Sequence, residues 1–410
     1  MAGMAHTYNN IKSFKKALDA SAFDTREAFL AVVKYANIED MSPYPQDPAT
    51  PLMVFTQHFG VVPDEYCCPE CGAEFTMKVK SGTSDRAARW QWRGPRYDRA
   101  GCCDACGDVE ISMTKDTLLA DVKASNWLPF FDCMVMWAQE YPHLKIAHEL
   151  GKQHNVAGPW MEKFQDVAAS YIADKISLPK LHEDFKKRAK AKGKRGVKKT
   201  ISKKKPSKFI VQADEVFLNK SKVSRLAPGT RPKKDKVWLW GAVVQGSPEN
   251  FVFRVLEHPE DAFDGRPRGK QEMVTNFDTL GLRKGMVVAT DGWRATIAAI
   301  KHIRDRNGWS DRDLKHEIVV HSKGEVKNQR GFTTNHIENR WSVLKRWLKK
   351  RLGGRLPTTS DRRKWARWVT EFQYRKAVTK THSVDGGHTY SLPTKTFLSH
   401  VAEVTLAGGI

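Results

Sequence analysis

At 410 residues the chain is too long for one ordinary hydrophobic core, and about 150 residues per domain suggests two or three domains. Charged residues make up 28% and apolar ones 40%, which suits a soluble globular protein with basic extensions, and the absence of any apolar run of 18 or more excludes an expected membrane span. The net charge is +23, so the expected partner is a polyanion, nucleic acid first, with a generally adhesive basic protein as the alternative.

Residues 1–60 hold weak helical patterns, as at 25–36, and a proline-rich stretch (Pro43, Pro45, Pro48, Pro51), with no chemistry assignable to them. Met1 to Lys12 lacks the basic, apolar and small-residue order of a secretory signal. Six of the seven cysteines fall in two tight clusters, which reads as metal ligation in a reducing compartment rather than a disulfide framework. An intracellular location is expected, either bacterial cytoplasm or, in a eukaryotic host, the nucleus.

Residues 61–115 carry those clusters. Cys68-Pro-Glu-Cys71 and Cys103-Asp-Ala-Cys106 are each followed by glycine, Gly72 and Gly107. Four thiolates in two such knuckles suit a closed tetrahedral Zn²⁺ site, a zinc ribbon; a redox-active CxxC is the alternative. The 31 residues between the pairs exceed the usual spacing, so a hairpin or loop must fill the gap. That insert mixes Arg86, Arg89, Trp90, Trp92, Arg93, Arg96 and Tyr97, a set suited to nucleic-acid contact or to strand packing. Cys67 and Cys102 stand beside the pairs as substitute ligands, and Cys133 sits on an apolar helical face as a core residue.

Residues 116–180 turn helical. Trp127, Phe130, Phe131, Met134, Trp137, Ala138 and Tyr141 recur at helical spacing, and a short helix over 144–150 ends at Gly151. Pro159 suits the first position of a third helix, striped by Trp160, Phe164, Val167 and Tyr171. Short helix, turn and longer helix outline a helix-turn-helix, as would any three-helix core. Residues 181–208 form a linker; within it 186–208 hold thirteen Lys or Arg and no acid, and the rest of the chain still carries +10.

Residues 209–380 have the texture of an α/β domain, with strands over 209–217, 237–245, 251–256, 285–290 and 318–321, and helices over 293–307, 334–352 and 360–378. Residues 381–410 read as a tail. Three carboxylates stand where a two-metal phosphoryl-transfer site needs them: Asp214 inside the apolar strand FIVQADEVF, Asp291 at the end of GMVVATD, and Glu338 early in a helix. An acid at a strand end is often only a turn former and a helical Glu only solvated, but an acid within an apolar strand needs a partner or a cation. Ile337, Trp341, Leu344 and Leu348 form an apolar stripe that places Glu338 half-buried at its margin. Lys345, seven residues on, projects from the same side.

Taken together, the CPxCG and CxxCG ribbon, the aromatic helix before the helix-turn-helix, QADEVF, TDGW after a strand, TNHIENRWSVLKR and WVTEFQYR resemble the Merlin-like group of DDE transposases and related bacterial insertion-sequence enzymes, over residues 65–376. The resemblance implies a ribonuclease-H-like catalytic domain (mixed sheet flanked by helices) preceded by a zinc ribbon and a helix-turn-helix domain. It implies Asp214, Asp291 and Glu338 as ligands of catalytic Mg²⁺ (or Mn²⁺), Lys345 as a DNA-contacting partner, Asn335 as a second candidate for the third position, and structural Zn²⁺ on Cys68, Cys71, Cys103 and Cys106. The activity implied is metal-dependent cleavage and strand transfer at the terminal inverted repeats of a mobile element, with base readout by the third helix around 158–169. Double-stranded DNA, both element ends and target, is the implied partner, and a homo-oligomer, at least a dimer on paired ends, the implied assembly. A non-catalytic DNA-binding derivative and a nuclease that cuts without joining are the other two readings.

Overall fold

A computed structural model describes residues 6–23, 25–44, 50–80, 89–95, 103, 106–107, 109–173, 209–218, 237–245, 247–256, 269–320, 326–356, 361–378, 383–384, 387–388 and 391–406. The chain divides into two compact units, 1–171 with 378–410, and 172–377. The basic run 186–208 lies outside the described residues, as does the basic part of 219–236. No described helix is long and apolar enough to cross a membrane.

The first unit opens with strand β1 (His6–Asn10), which pairs in parallel with β2 (Ala36–Asp40). Helix α1 (Ile11–Ala20) follows β1 directly, because Asn10 and Ser13 satisfy its first amides as a reciprocal capping box. Helices α2 (Arg26–Phe29) and α3 (Thr50–His58) then deliver Phe29 and Phe55 to an edge-to-face cluster with Phe23 and Phe59. Phe55 also meets Phe131, so the first 60 residues are core builders. Strands β3 (Thr76–Lys80), β4 (Arg89–Arg93) and β5 (Glu110–Ser112) form an antiparallel sheet in that order.

Helix α4 (Trp127–Ala138) is apolar on nearly every side, and Phe130 to Ala138 are all buried, Cys133 among them. Its one acid, Asp132, is held by Arg26 in a two-pronged ion pair, 2.8 Å in each arm. Helix α5 (His143–Glu149) ends at a left-handed Gly151. Helix α6 runs His154–Ala173, so Pro159 lies inside it rather than at its first position. A proline six residues in forfeits just one intrahelical hydrogen bond, which the buried stripe Trp160, Phe164 and Val167 outweighs.

The second unit is a mixed five-stranded sheet. Strand β7 (Trp238–Val244) pairs antiparallel with both β6 (Phe209–Phe217) and β8 (Ser247–Val255). Helix α7 (Lys270–Leu280) leads to β9 (Met286–Asp291), helix α8 (Arg294–Asn307) to β10 (Lys315–Val319), and both strands run parallel to β6, giving the order β10-β9-β6-β7-β8. Parallel neighbours need crossovers, and α7 and α8 supply them. Helix α7 lies where the sequence suggests no element, yet Met273, Val274, Phe277 and Leu280 bury a full apolar stripe. Strand β10 starts three residues earlier than its apolar residues suggest, because an edge strand keeps polar side chains.

The alternation along β6 splits the unit into two layers. Phe209, Val211 and Ala213 face one side, where Trp240, Ala242, Met273, Phe277, Val288, Ile300 and Ile303 close the core. The opposite side is covered by α9 (Asn335–Arg351) and α10 (Arg362–Val378). The expected stripe of α9, Ile337, Trp341, Leu344 and Leu348, is buried, and Trp341 stacks on Phe253 at 4.3 Å. That approach needs Gly241, where an added Cβ would lie 2.4 Å from the Trp341 ring. The two helices are clamped by an ionic triad: Glu371 Oε1 accepts from Arg351 at 2.8 Å and from Arg375 at 2.9 Å, with all three side chains at most 1% exposed. On edge strand β8 the Gln373 side chain pairs with both the amide and the carbonyl of Phe253, occupying edge groups that would otherwise be open.

Beyond α10 the chain returns to the first unit. The short strands β11 (Ser383–Val384) and β12 (Gly387–His388) pair with each other, and helix α11 (Thr394–Leu406) follows. Phe397 packs against Trp137 at 4.9 Å and Phe164 at 6.1 Å, so a stretch that reads as a tail contributes to the core.

Removing the shared acceptor of the buried triad takes a carboxylate from two buried guanidinium groups. Glu371→Ala is expected to lower unfolding free energy by about 3–5 kcal/mol, measured by urea titration followed through tryptophan fluorescence.

Candidate metal centres

The four expected cysteines converge. Cys68, Cys71, Cys103 and Cys106 place their sulfurs within 4.8 Å of one another. The Cys68–Cys103, Cys71–Cys106 and Cys103–Cys106 separations are 3.6, 3.5 and 3.6 Å. A disulfide needs about 2.05 Å, whereas a ZnS₄ tetrahedron with bonds of ≈ 2.3 Å has edges of about 3.8 Å. The donor set therefore fits structural zinc. Each knuckle folds its backbone around sulfur: Gly72, at φ +73°, donates to the Cys68 carbonyl at 2.9 Å, and Gly107 donates to the Cys103 carbonyl at 3.3 Å. The Ala73 and Cys103 amides lead the causes that lower the Cys71 thiol to about 6, favouring thiolate. Cys67 is exposed and outside the cluster, pairing instead with Glu74 as an isolated bridge; Cys102 lies outside the described residues.

Between the knuckles, Trp90 and Trp92 are 3% and 4% exposed, and Trp92 stacks near Tyr66. Of the two roles open to these rings, strand packing is the one they fill. Gly94 seats the second knuckle, since a Cβ there would lie 1.9 Å from the Cys106 carbonyl oxygen.

The acidic site is built by strand register. Ala213 pairs with Thr290 across β6 and β9, so Asp214 and Asp291 are the next residues on two adjacent parallel strands. Asp291 ends β9, and its carboxylate accepts from the Trp293 amide at 3.2 Å in the turn into α8. Glu215, which sequence reasoning passed over, completes the group: Asp214, Glu215 and Asp291 each offer an oxygen within 4.8 Å of the others. The signal was present as a second acid in the apolar strand, but alternation assigns it to the opposite face. Glu215 is 8% exposed and accepts from Thr296 of α8 at 3.1 Å.

Helix α9 is docked onto this face of β6 by polar bonds. Buried Gln212 accepts from the amides of His336 and Ile337 at 2.9 and 3.4 Å, and the Trp341 indole donates to Asp214 at 3.2 Å. Glu338 lies on the turn between those anchors, but it is exposed rather than half-buried, and its carboxylate is not one of the three that cluster. It accepts from Thr334 at 2.8 Å. Asn335 is exposed at the first residue of α9, and Lys345 is half-buried two turns beyond Glu338.

Burial, followed by the charges of Asp291 and Glu215, raises the Asp214 carboxyl to about 7. Hard oxygen donors crowded in this way suit a divalent cation such as Mg²⁺. Behind Asp291, Thr290 donates to the Asp291 carbonyl at 2.8 Å and meets the His316 ring at 2.8 Å; burial lowers that imidazole to about 4, keeping it neutral. No protein-family model, no curated protein and no solved structure matches this chain.

Metal analysis of the purified chain is expected to find about one zinc per molecule, with Gly94→Ala losing most of it; a zinc-free native chain is the adverse result. For Asp214, whose folded value lies above its unfolded one, the stability contribution is complete below about pH 4 and is lost as pH rises through about 7. With chelator present, the melting-temperature difference between Asp214→Asn and the native chain should grow in the variant's favour from pH 5 to 8. Added Mg²⁺ should shrink it.

Proposed function

We propose that the chain is a DDE-type DNA transposase of the Merlin-like kind, with a ribonuclease-H-like catalytic unit behind a zinc ribbon and a helix-turn-helix. One observation carries the reading: Asp214 and Asp291 stand side by side on adjacent parallel strands beneath a helix that bears Glu338. The sheet order, with three antiparallel strands joined to two parallel ones, supports the fold assignment.

Asp214 and Asp291, with Glu215 beside them, would hold the divalent cations, and Glu338 would join from α9 by turning away from Thr334. Bound metal supplies Lewis-acid stabilisation of the phosphodiester and a more acidic attacking hydroxyl or water. The protein's own part is to orient: the Trp341 indole fixes one Asp214 oxygen, the Trp293 amide fixes one Asp291 oxygen, and Gln212 locks the start of α9. Lys345, two turns along α9, would bind a neighbouring phosphate.

For element-end recognition, the order α4, α5, turn, α6 supports a helix-turn-helix. Within 158–169 the residues Trp160, Met161, Phe164, Val167 and Ala168 are buried. The surface able to read bases is therefore placed at the start of α6, where His154, Asn155 and Val156 are exposed, as are Leu144 and Lys145 of α5. Double-stranded DNA is the proposed partner, with a homodimer on paired ends.

The test is incubation of the full chain with Mg²⁺ and DNA carrying candidate inverted repeats from beside the gene, scored for cleavage and strand-transfer products. Asp291→Asn is expected to lower the cleavage rate by about a hundredfold or more while leaving DNA affinity within about twofold. Unimpaired cleavage by that variant removes Asp291 from the site. Cutting without joining favours a nuclease, and binding alone a non-catalytic derivative.

A further inference from the structure

A second feature of the sheet unit lies away from the carboxylates. A cleft of about 280 Å³ opens along edge strand β8, between Phe253, Arg254 and Val255 on the strand and Arg362, Arg363, Ala366, Val369 and Thr370 on α10. Three of its eight lining residues are arginines. Arg254 is half-buried, with one guanidinium nitrogen donating to Thr279 at 2.8 Å. Arg362 is half-buried, and its Nε is wholly sealed from solvent with no hydrogen-bond acceptor. Arg363 is exposed at the rim. A buried guanidinium nitrogen without an acceptor is costly, because desolvation is incurred and no bond offsets it.

Asp361, next to Arg362 in the chain, accepts from the amides of Arg363 and Lys364 at the start of α10. The charged residues lining the cleft are the three arginines, above the apolar Phe253, Val255 and Val369. Planar guanidinium groups match the paired oxygens of a phosphate.

From this we infer that the cleft is a phosphate-binding subsite, and that its ligand is a backbone phosphodiester of the nucleic acid strand. Its position supports that occupant. Arg254 lies in register with Trp240, and Trp240 with Glu215, so the cleft and the acidic group share one row of the sheet. Two strand spacings separate them, roughly 10 Å. A strand bound at the carboxylates would reach the cleft within a few nucleotides, given about 3.4 Å of rise per residue. The cleft would thus hold the strand at a second point and set its direction. The identity of the ligand rests on the DNA reading above; the presence of a phosphate site does not.

The experiment measures DNA affinity of the full chain against salt concentration, using a short fluorescent duplex, for the native protein, Arg254→Gln/Arg362→Gln and the rim variant Arg363→Gln. Arg312→Gln, an exposed arginine outside the cleft, controls for loss of charge. One lost phosphate contact lowers the slope of log affinity against log salt by about 1. The double variant should show that loss, Arg363→Gln a smaller one in the same direction, and Arg312→Gln none. That result supports the subsite even if the native chain cuts no DNA, in which case only the catalytic reading fails. Unchanged slopes in both cleft variants overturn the subsite even where cleavage is intact, and an equal loss in Arg312→Gln reduces it to general charge. Inorganic phosphate that stabilises the native chain but not the double variant, with DNA slopes unchanged, assigns the cleft to a small phosphorylated ligand and overturns the backbone assignment.

Discussion

Carboxylates held within 4.8 Å of one another, two of them on neighbouring strands of an otherwise apolar sheet, are the constraint around which the second unit is arranged. Charge repulsion and burial together push Asp214 toward neutrality, so the arrangement is unfavourable for folding alone. The surroundings restrain it without removing the strain. An indole on Asp214, a backbone amide on Asp291 and a hydroxyl on Glu215 each hold one carboxylate oxygen in place. Crowded carboxylates of this kind suit a bound cation.

Much of the remaining packing serves to dock α9 on that face. Gly241, paired with Asp214 across the strands, leaves room for the Trp341 ring to lie on the sheet, and the same ring then reaches the carboxylate. Gln212, two residues before Asp214 and on its side of β6, holds the first turn of α9. The Arg351–Glu371–Arg375 triad then locks α9 to α10 at the far end. In the first unit, sulfur and aromatic clusters divide the labour: the four-cysteine cluster lies beside a small three-stranded sheet, and Phe23, Phe29, Phe55 and Phe131 fill the helical part.

Where chemistry coincides with a short, stereotyped spacing, the residues declare it before any folding is considered. The two CxxC pairs, the acid inside FIVQADEVF and the stripe of α9 are of that kind, because local geometry and ligand chemistry admit few alternatives. So are most strands and helices, whose apolar periods survive intact. What escaped was set by neighbours distant in the chain. Helix α7 has an unremarkable composition and gains its place from the sheet it covers; α11 looks like a tail until Phe397 meets Trp137. Pro159 reads as a helix start and is overruled by the burial of the turns on either side of it.

The acidic group shows the division most plainly. Strand pattern alone placed Asp214 within one apolar strand and Asp291 at the end of another. Only the parallel register of β6 with β9 made them neighbours, and only the folded sheet brought a Glu215 oxygen within 4.8 Å of both. Likewise the apolar stripe of α9 foretold which side would be buried, but not that Thr334 would hold the Glu338 carboxylate outside the cluster. Side-chain type and period are properties of the chain read one residue at a time, whereas distance between charges is a property of pairs, and pairs exist only once the sheet has chosen its order.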